Sequence, residues 1–497
     1  MFDKILIANR GEIAVRIMRT AREMGVRTVA VYSTVDAQAL HVLTADEAVC
    51  LGDPEPAQSY LHSEKIIAAA KQTGAQAVHP GYGFLAENPA FAQAVVEAGL
   101  TFIGPPASVM AQLGDKTQAR RLMQSGGVPI IPGMTSADDD PARLAVAAEE
   151  IGYPLLIKAA AGGGGKGMRV VHAPGELAAA AKQAASEAKS AFGDGSIYLE
   201  KFLAKPRHVE FQILADAHGN VVHLYERECS IQRRHQKIVE ETPSPALDDA
   251  LRARMGEAAV AAAKAAGYVN AGTVEFLLND DGEFYFLEVN TRLQVEHPIT
   301  EALTGLDLVR QQLTIAAGEP LSFAQDDVPR RGHAIECRLY AEDPENNFLP
   351  SHGKILLHRE PAGPGVRLDN GVYTGFEVPV QYDPILGKLV VWAEDRPAAI
   401  ARMTRALSEC VILGVKTPIE YLRAVINAPA FVAGDTHTAF LTEHFADWRP
   451  DGQADHAARL AYALHEALAP AAAAAAGETR REAPSPWQTL GHWHLGK

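Results

Sequence analysis

The chain has 497 residues, 47% of them hydrophobic and 22% charged, with 41 glycines and 30 prolines, which excludes disordered, collagenous and low-complexity classes. That length leaves room for about three domains. With 46 Lys and Arg against 61 Asp and Glu, a net charge of −15 argues against a nucleic-acid partner, so any bound anion needs a local cluster of cations and backbone amides.

From Lys4 to Gly104, short apolar runs alternate with helical patterns: Ile5–Ala8, a helix over 12–24, Thr28–Tyr32, a helix over 64–71, Ala77–His79, a helix over 91–97, and Thr101–Gly104. Strict alternation predicts a doubly wound α/β domain over residues 1–115 with a parallel sheet. Asp36 after the second strand suggests a ribose-binding acid. The first turn, ANRGEIA, lacks G-x-G-x-x-G, however, and argues against a dinucleotide site.

Beyond Asp115 the pattern becomes α+β: a helix over 116–125, a helix ending at Ile151, a strand in YPLLIKAA, then strands and helices in unequal batches to about residue 330. Residues 331–445 carry short β segments (HAIECRLY, KILLHRE, VRLDN, KLVVWA) and two helices, over 398–407 and 418–425. Residues 446–497 form a tail with a helix over 455–468 and an alanine run over 471–476. Cys50, Cys229, Cys337 and Cys410 are far apart with no C-x-x-C, which suits a reducing compartment. The sequence shows no signal peptide pattern and no apolar span of about 20 residues, so no membrane partner and a cytoplasmic location are expected.

Three stretches carry chemistry. The first is AGGGGKGMRVV, with Gly162, Gly163, Gly164, Gly165 and Gly167. Strand-like sequence on both sides rejects a Rossmann turn or P-loop, each of which runs from strand into helix. A glycine-rich turn between antiparallel strands reads instead as a lid whose amides close over a polyphosphate, with Lys158 adding charge. An irregular hairpin tip is the plain alternative.

The second is TVEFLLNDDGEFYFLEVN. A two-residue turn at Asp281-Gly282 would set Glu275 opposite Glu288, with Asn290 on the same face. Two facing carboxylates repel unless a cation lies between them, and Glu, Glu and Asn form an oxygen set suited to Mg²⁺ or Mn²⁺. An exposed acidic strand face is the alternative reading. The third is NTRLQVEHP, which places Arg292, Gln294 and Glu296 on one side of an extended segment. Glu296 among cations, with Lys237 and Arg338 from other segments, is a candidate base, though each residue alone equally fits a surface ion pair.

Taken together, ANRGEIAVRIMRTAREMG, HPGYGFLAEN, FIGP, GDK, KAAAGGGGKGMR, RHVEFQI, ERECSIQRRHQK, EFYFLEVNTRLQVEHPITE and RLYAEDP resemble the biotin carboxylase family in unbroken order to about Phe445. The resemblance implies a doubly wound N-terminal α/β domain (1–115), an ATP-grasp domain (116–330) with a mobile lid over about 131–203, and a β-rich C-terminal domain (331–445). By resemblance, Lys116 and Lys158 contact ATP phosphates beneath the glycine lid. Glu200 and Leu203 form the adenine hinge, and His208, Gln232 and His235 border the nucleotide. Glu275, Glu288 and Asn290 hold Mg²⁺ or Mn²⁺. Lys237, Arg292, Gln294, Val295 and Glu296 line a bicarbonate pocket, Arg338 stabilises the biotin enolate, and Tyr82 borders the biotin site.

The implied reaction is ATP- and bicarbonate-dependent carboxylation of biotin on a carrier protein through carboxyphosphate. The alternatives are another ATP-grasp ligase and a non-catalytic nucleotide-binding scaffold subunit. No methionine adjoins a lysine, so there is no M-K-M biotinylation motif, while APSPWQTLGHWHLGK (483–497) resembles the start of the linker domain in acyl-CoA carboxylase α subunits. The chain therefore reads as such an α subunit lacking its biotin carrier domain. A carboxyltransferase β subunit is the expected partner, in a homodimer or α/β hetero-oligomer.

Overall fold

Apolar runs near the N-terminus become central strands because helices cover both faces of the sheet they join. The computed structural model describes residues 1–134, 136–138, 140–160, 168–234 and 236–452, with isolated helical positions between 458 and 464. Strands β1 (Lys4–Ile7), β2 (Arg27–Ser33), β3 (Glu47–Gly52), β4 (Ala77–His79) and β5 (Thr101–Phe102) form a parallel sheet in the order β3-β2-β1-β4-β5. The sequence pattern omits β3, an edge strand on which only Leu51 is buried and Cys50 is exposed. Asp36 is no free ribose acid: it is buried, accepts two hydrogen bonds from Arg10 at 2.7 Å, and accepts another from the Tyr60 hydroxyl at 2.6 Å.

The second layer matches the predicted α+β character. Helix Lys116–Ser125 has the expected bounds, and it begins there because the Asp115 carboxylate accepts from the amides of Thr117 and Gln118. Helix Pro141–Ile151 leads to a small antiparallel sheet of β6 (Leu155–Ala159), β7 (Arg169–Val171) and β8 (Ile197–Lys201), in the order β7-β6-β8. The glycine run therefore links two antiparallel neighbours, as the sequence requires of a lid, although the run itself (161–167) lies outside the described residues.

One eight-stranded sheet carries the rest. It contains β9 (Arg207–Ala215), β10 (Val221–Arg233), β11 (Gln236–Thr242), β12 (Asn270–Leu278), β13 (Phe284–Asn290) and β14 (His333–Tyr340). The order is β13-β12-β9-β10-β11-β14, followed by strands Ile385–Ala393 and Val366–Asn370. Because β11 pairs with β14 from Val239↔Cys337 to Thr242↔Ala334, the expected boundary at 330 falls inside a continuous sheet. KILLHRE breaks into two short strands, whereas helices Arg396–Glu409 and Ile419–Ile426 form where periodicity places them. Separate hydrophobic clusters, one around Phe211 and Phe276 and one around Leu389 and Leu422, hold the sheet from its two ends.

Residues 1–448 make one compact unit. Of the tail, the expected helix over 455–468 is described only at scattered helical positions, and the alanine run and residues 483–497 lie outside the described residues. Among the described residues, no helix is long and apolar enough to cross a membrane.

Candidate functional site

The β12–β13 hairpin brings Glu275 opposite Glu288 and Thr273 opposite Asn290, the register the sequence predicts. It does so by an unforeseen route. The loop closes one residue longer than a two-residue turn, with Leu278 paired to Phe284 and Gly282 at φ +82°, a left-handed conformation glycine adopts without strain. A bulge at Leu287, between the pairs Phe276↔Phe286 and Glu275↔Glu288, restores the lost residue. The two departures cancel at the acidic pair.

Glu275 is buried and fully engaged. Its Oε1 accepts from Lys237 Nζ and Asn290 Nδ2, each at 2.8 Å, and its Oε2 lies 3.0 Å from His208 Nε2. Gln232 Nε2 donates to His208 Nδ1 at 2.7 Å, which leaves the ring proton on the nitrogen facing Glu275. Burial pushes Glu275 toward protonation, but Lys237 and His208 outweigh it and hold the carboxyl below its usual range. Glu288 opens to the cleft and forms no ion pair or hydrogen bond among the described residues. Desolvation by the cleft walls, then the Glu275 carboxylate, raise its pKa, with Lys116 opposing them. An outward-facing carboxylate beside a second carboxylate suits a hard divalent cation, whereas Asn290 presents its Nδ2 to Glu275 and its Oδ1 to Arg292.

Lys237 joins three acids. Its ammonium donates to Glu275 and Glu296 at 2.8 Å each and also to Glu210, which Arg227 contacts at 2.6 Å from behind. Arg338 donates from Nη2 to Glu296 Oε2 at 3.0 Å and from Nε to Glu240 Oε1 at 2.6 Å. Burial opposes the charge on Glu296, yet Lys237 and Arg338 prevail and hold its carboxyl well below the usual range. His208, Glu210 and Glu275 have donor atoms within 4.8 Å of one another and could also ligate a metal, but Lys237 and Arg227 already fill that space with positive charge.

NTRLQVEHP does not stay extended. It turns at Val295–Glu296 into helix His297–Thr304, with Glu296 at the N-cap. Arg292 is fixed by Glu87 Oε2 at 3.0 Å, Gln294 Oε1 at 2.8 Å and Asn290 Oδ1 at 3.1 Å.

Lys158, Glu200, Leu203, His208, Gln232, Lys237, Glu275, Glu288, Asn290, Arg292, Gln294, Val295 and Arg338 line one cleft of about 600 Å³. An adjoining cavity of about 250 Å³ shares Lys158, Glu200, Glu288 and Asn290, and Lys116 lines it. Desolvation lowers the pKa of Lys116, and nearby Lys158 adds to the effect, as two cations would in a pocket shaped for an anion. The Glu200 side chain is tied to Lys158 at 2.5 Å and to Arg120, and its backbone is paired with Leu156 across the β6–β8 ladder.

Tyr82 is absent from the cleft lining. Its carbonyl accepts from Asn9 at 2.7 Å and its ring lies 5.7 Å from the Lys388 ammonium. Gly162–Gly165, Gly167 and His235 lie outside the described residues. The sequence reading missed Glu87, Arg120, Glu210 and Glu240. RHVEFQI held one signal: its polar residues 208, 210 and 212 alternate with apolar ones, marking a polar stripe along a buried strand.

Residues 1–110 match the family described as biotin carboxylase, N-terminal domain; 115–324 match the carbamoyl-phosphate synthase L chain, ATP binding domain; and 336–443 match the biotin carboxylase C-terminal domain. Over 444 residues the chain is 55% identical to a pyruvate carboxylase subunit of Methanothermobacter thermautotrophicus, covering 89% of this chain and 90% of that one. It is 54% identical to a biotin carboxylase of Nostoc sp. over 442 residues, covering 89% and 99%. The biotin carboxylase domain dimer of Hydrogenobacter thermophilus 2-oxoglutarate carboxylase, solved with MgADP, ADP and bicarbonate, superposes with a TM-score of 0.86 at 46% identity, covering 90% and 100%.

Proposed function

Because this chain belongs to the biotin carboxylase family, we propose that its cleft carries out the ATP- and bicarbonate-dependent carboxylation of biotin, with the cleft-lining residues in the roles below. The single observation that supports the roles best is the convergence of Lys237 and Arg338, which line the cleft beside the Glu275–Glu288 pair, on Glu296, wholly buried just behind the lining.

Lys116, Lys158 and the amides of the Gly162–Gly167 lid bind the ATP phosphates, with Glu200 and Leu203 at the adenine and His208, Gln232 and His235 at the nucleotide border. Glu275, Glu288 and Asn290 would hold Mg²⁺ or Mn²⁺, which when bound neutralises phosphate charge and aligns the γ-phosphoryl group. Arg292, Gln294, Val295 and Lys237 hold bicarbonate, whose oxygen attacks the γ-phosphorus as the bond to ADP breaks, giving carboxyphosphate. Glu296, kept ionised by Lys237 and Arg338, accepts the bicarbonate proton. Its depressed basicity limits that step until the incoming anion draws the two cations away from it.

Carboxyphosphate then separates into CO₂ and phosphate. The phosphate just released takes the ureido proton of biotin, Arg338 stabilises the enolate, and the nitrogen captures CO₂, with Tyr82 at the border of the biotin site. A closed lid keeps water from the intermediate. The chain divides at about residues 115, 330 and 445 into the three domains and the tail. It serves in the cytoplasm as the α component of an acyl-CoA carboxylase, as a homodimer or in an α/β assembly with a biotin carrier and a carboxyltransferase β subunit. The likeness of residues 483–497 to an α-subunit linker supports this assignment.

The test is ADP release from MgATP and bicarbonate with and without free biotin. Stimulation by biotin is the expected result, and release that biotin does not increase would overturn the reading.

A further inference from the structure

Behind Arg338, on the side away from the cleft, lies a buried set of acids that the reaction above does not use. Glu240 on β11 pairs directly with Glu336 on β14, and Arg338, two residues along β14, pairs with Lys388 on the next strand. Helix Gly11–Glu23 brings Glu12 to the same place, 3.0 Å from Lys388 Nζ. Glu12, Glu240, Glu336 and Lys388 are all almost wholly buried.

The charges do not balance. Lys388 Nζ lies 3.0 Å from Glu12 Oε2 without a hydrogen bond between them, and Arg338 is shared by Glu240 and Glu296. No cation among the described residues pairs with Glu336. Both of its carboxylate oxygens are buried without a hydrogen-bond partner, as is Oε2 of Glu240 across the ladder. Cross-strand partners have Cβ atoms about 5 Å apart, and two ionised carboxylates that close in a dry interior are strongly disfavoured. Three unpartnered oxygens on two facing carboxyls have one economical solution, a proton shared between them, as in carboxyl dyads elsewhere.

We infer that Glu240 is a positioning residue for Arg338: it shares a proton with Glu336 and, through its remaining charge, holds the guanidinium so that Nη2 meets Glu296 and the cleft. This deepens the proposed function, since the enolate can be stabilised only by a guanidinium fixed in one orientation. Burial pushes both acids up, Glu240 to about 7 and Glu336 well above its ordinary value, in keeping with one proton held by the pair at neutral pH.

The experiment uses the full chain in two readouts. Infrared spectra at neutral pH should show a protonated carboxyl band that shifts in heavy water and is lost in Glu336→Gln; a wild-type spectrum whose protonated carboxyl band persists unchanged in Glu336→Gln would overturn the shared proton. This readout needs no turnover, so it stands apart from any failure of the proposed function. In kinetics, Glu240→Gln removes the charge behind Arg338 but keeps an acceptor. The ratio of biotin-stimulated to biotin-independent ADP release should fall about tenfold, the scale of one charged hydrogen bond. Glu336→Gln, which mimics the protonated acid, should keep that ratio near wild type. An unchanged ratio in Glu240→Gln, or an equal fall in Glu336→Gln, would overturn the positioning role. Should Glu240→Gln not fold, the Glu336→Gln ratio and the infrared band still decide.

Discussion

Replacing Lys237 with Met tests the electrostatic centre of the site most severely. Met preserves the apolar stem and removes the ammonium that Glu210, Glu275 and Glu296 share. Breaking a buried ion pair costs about 3–5 kcal/mol. Three pairs do not triple that figure, because each acid keeps another partner: Arg227 for Glu210, His208 for Glu275 and Arg338 for Glu296. The expected loss near neutral pH is therefore that of about one pair, ~3–5 kcal/mol.

The loss should depend on pH in a defined direction. In the wild type the Glu275 and Glu296 carboxyls are held below their ordinary range, so their stabilising contribution is present above the unfolded value of about 4.3 and fades only at lower pH. Without Lys237, burial pushes them above that value. They then destabilise the fold at neutral pH and are relieved by protonation as pH falls. Urea unfolding of both proteins from about pH 8 to about pH 5 should show the stability gap narrowing by up to ~1.4 kcal/mol per pH unit for each proton taken up. A gap below about 1 kcal/mol, or one independent of pH, would refute the network as described.

Glu288→Gln should abolish Mg-dependent ATP turnover, as should Glu275→Ala combined with Glu288→Ala. Glu288→Gln should nevertheless leave urea stability unchanged or raised by up to about 1 kcal/mol, because a repelling cross-strand charge is gone; retained turnover would contradict the metal role. Arg338→Ala should lower biotin carboxylation, measured with labelled bicarbonate, far more than bicarbonate-dependent ADP release, and equal losses would remove its enolate role. His79 is buried and desolvation lowers its pKa to about 4, so the fold is destabilised as pH drops through the unfolded value of about 6.5. His79→Gln should therefore gain on the wild type in urea unfolding between about pH 7 and about pH 5, and a constant difference would contradict this.

Much of the site was legible because it depends on local period and turn length. The Glu275–Glu288 pairing follows from the sequence only on a two-residue turn that the structure does not contain, and it holds because a loop one residue longer and the bulge at Leu287 offset each other. The compensating loop residue and bulge were not legible, since both depend on how β13 packs against its neighbours rather than on its own residues. The helix over 116–125 was legible from its own residues, and its start is fixed by a local bond, the Asp115 carboxylate accepting from the amides of Thr117 and Gln118. Glu210, Glu240 and Glu87 escaped because their importance comes from partners 27, 98 and more than 200 residues away. The weakly patterned edge strand Glu47–Gly52 escaped for the opposite reason: its side chains are half exposed and leave little apolar signal.

In the proposed reaction bicarbonate attacks the terminal phosphoryl group of ATP. Turnover with bicarbonate carrying oxygen-18 in all its oxygens, with free biotin present, tests it directly. One labelled oxygen should pass into each inorganic phosphate released; phosphate labelled only to the background set by solvent water would contradict the account.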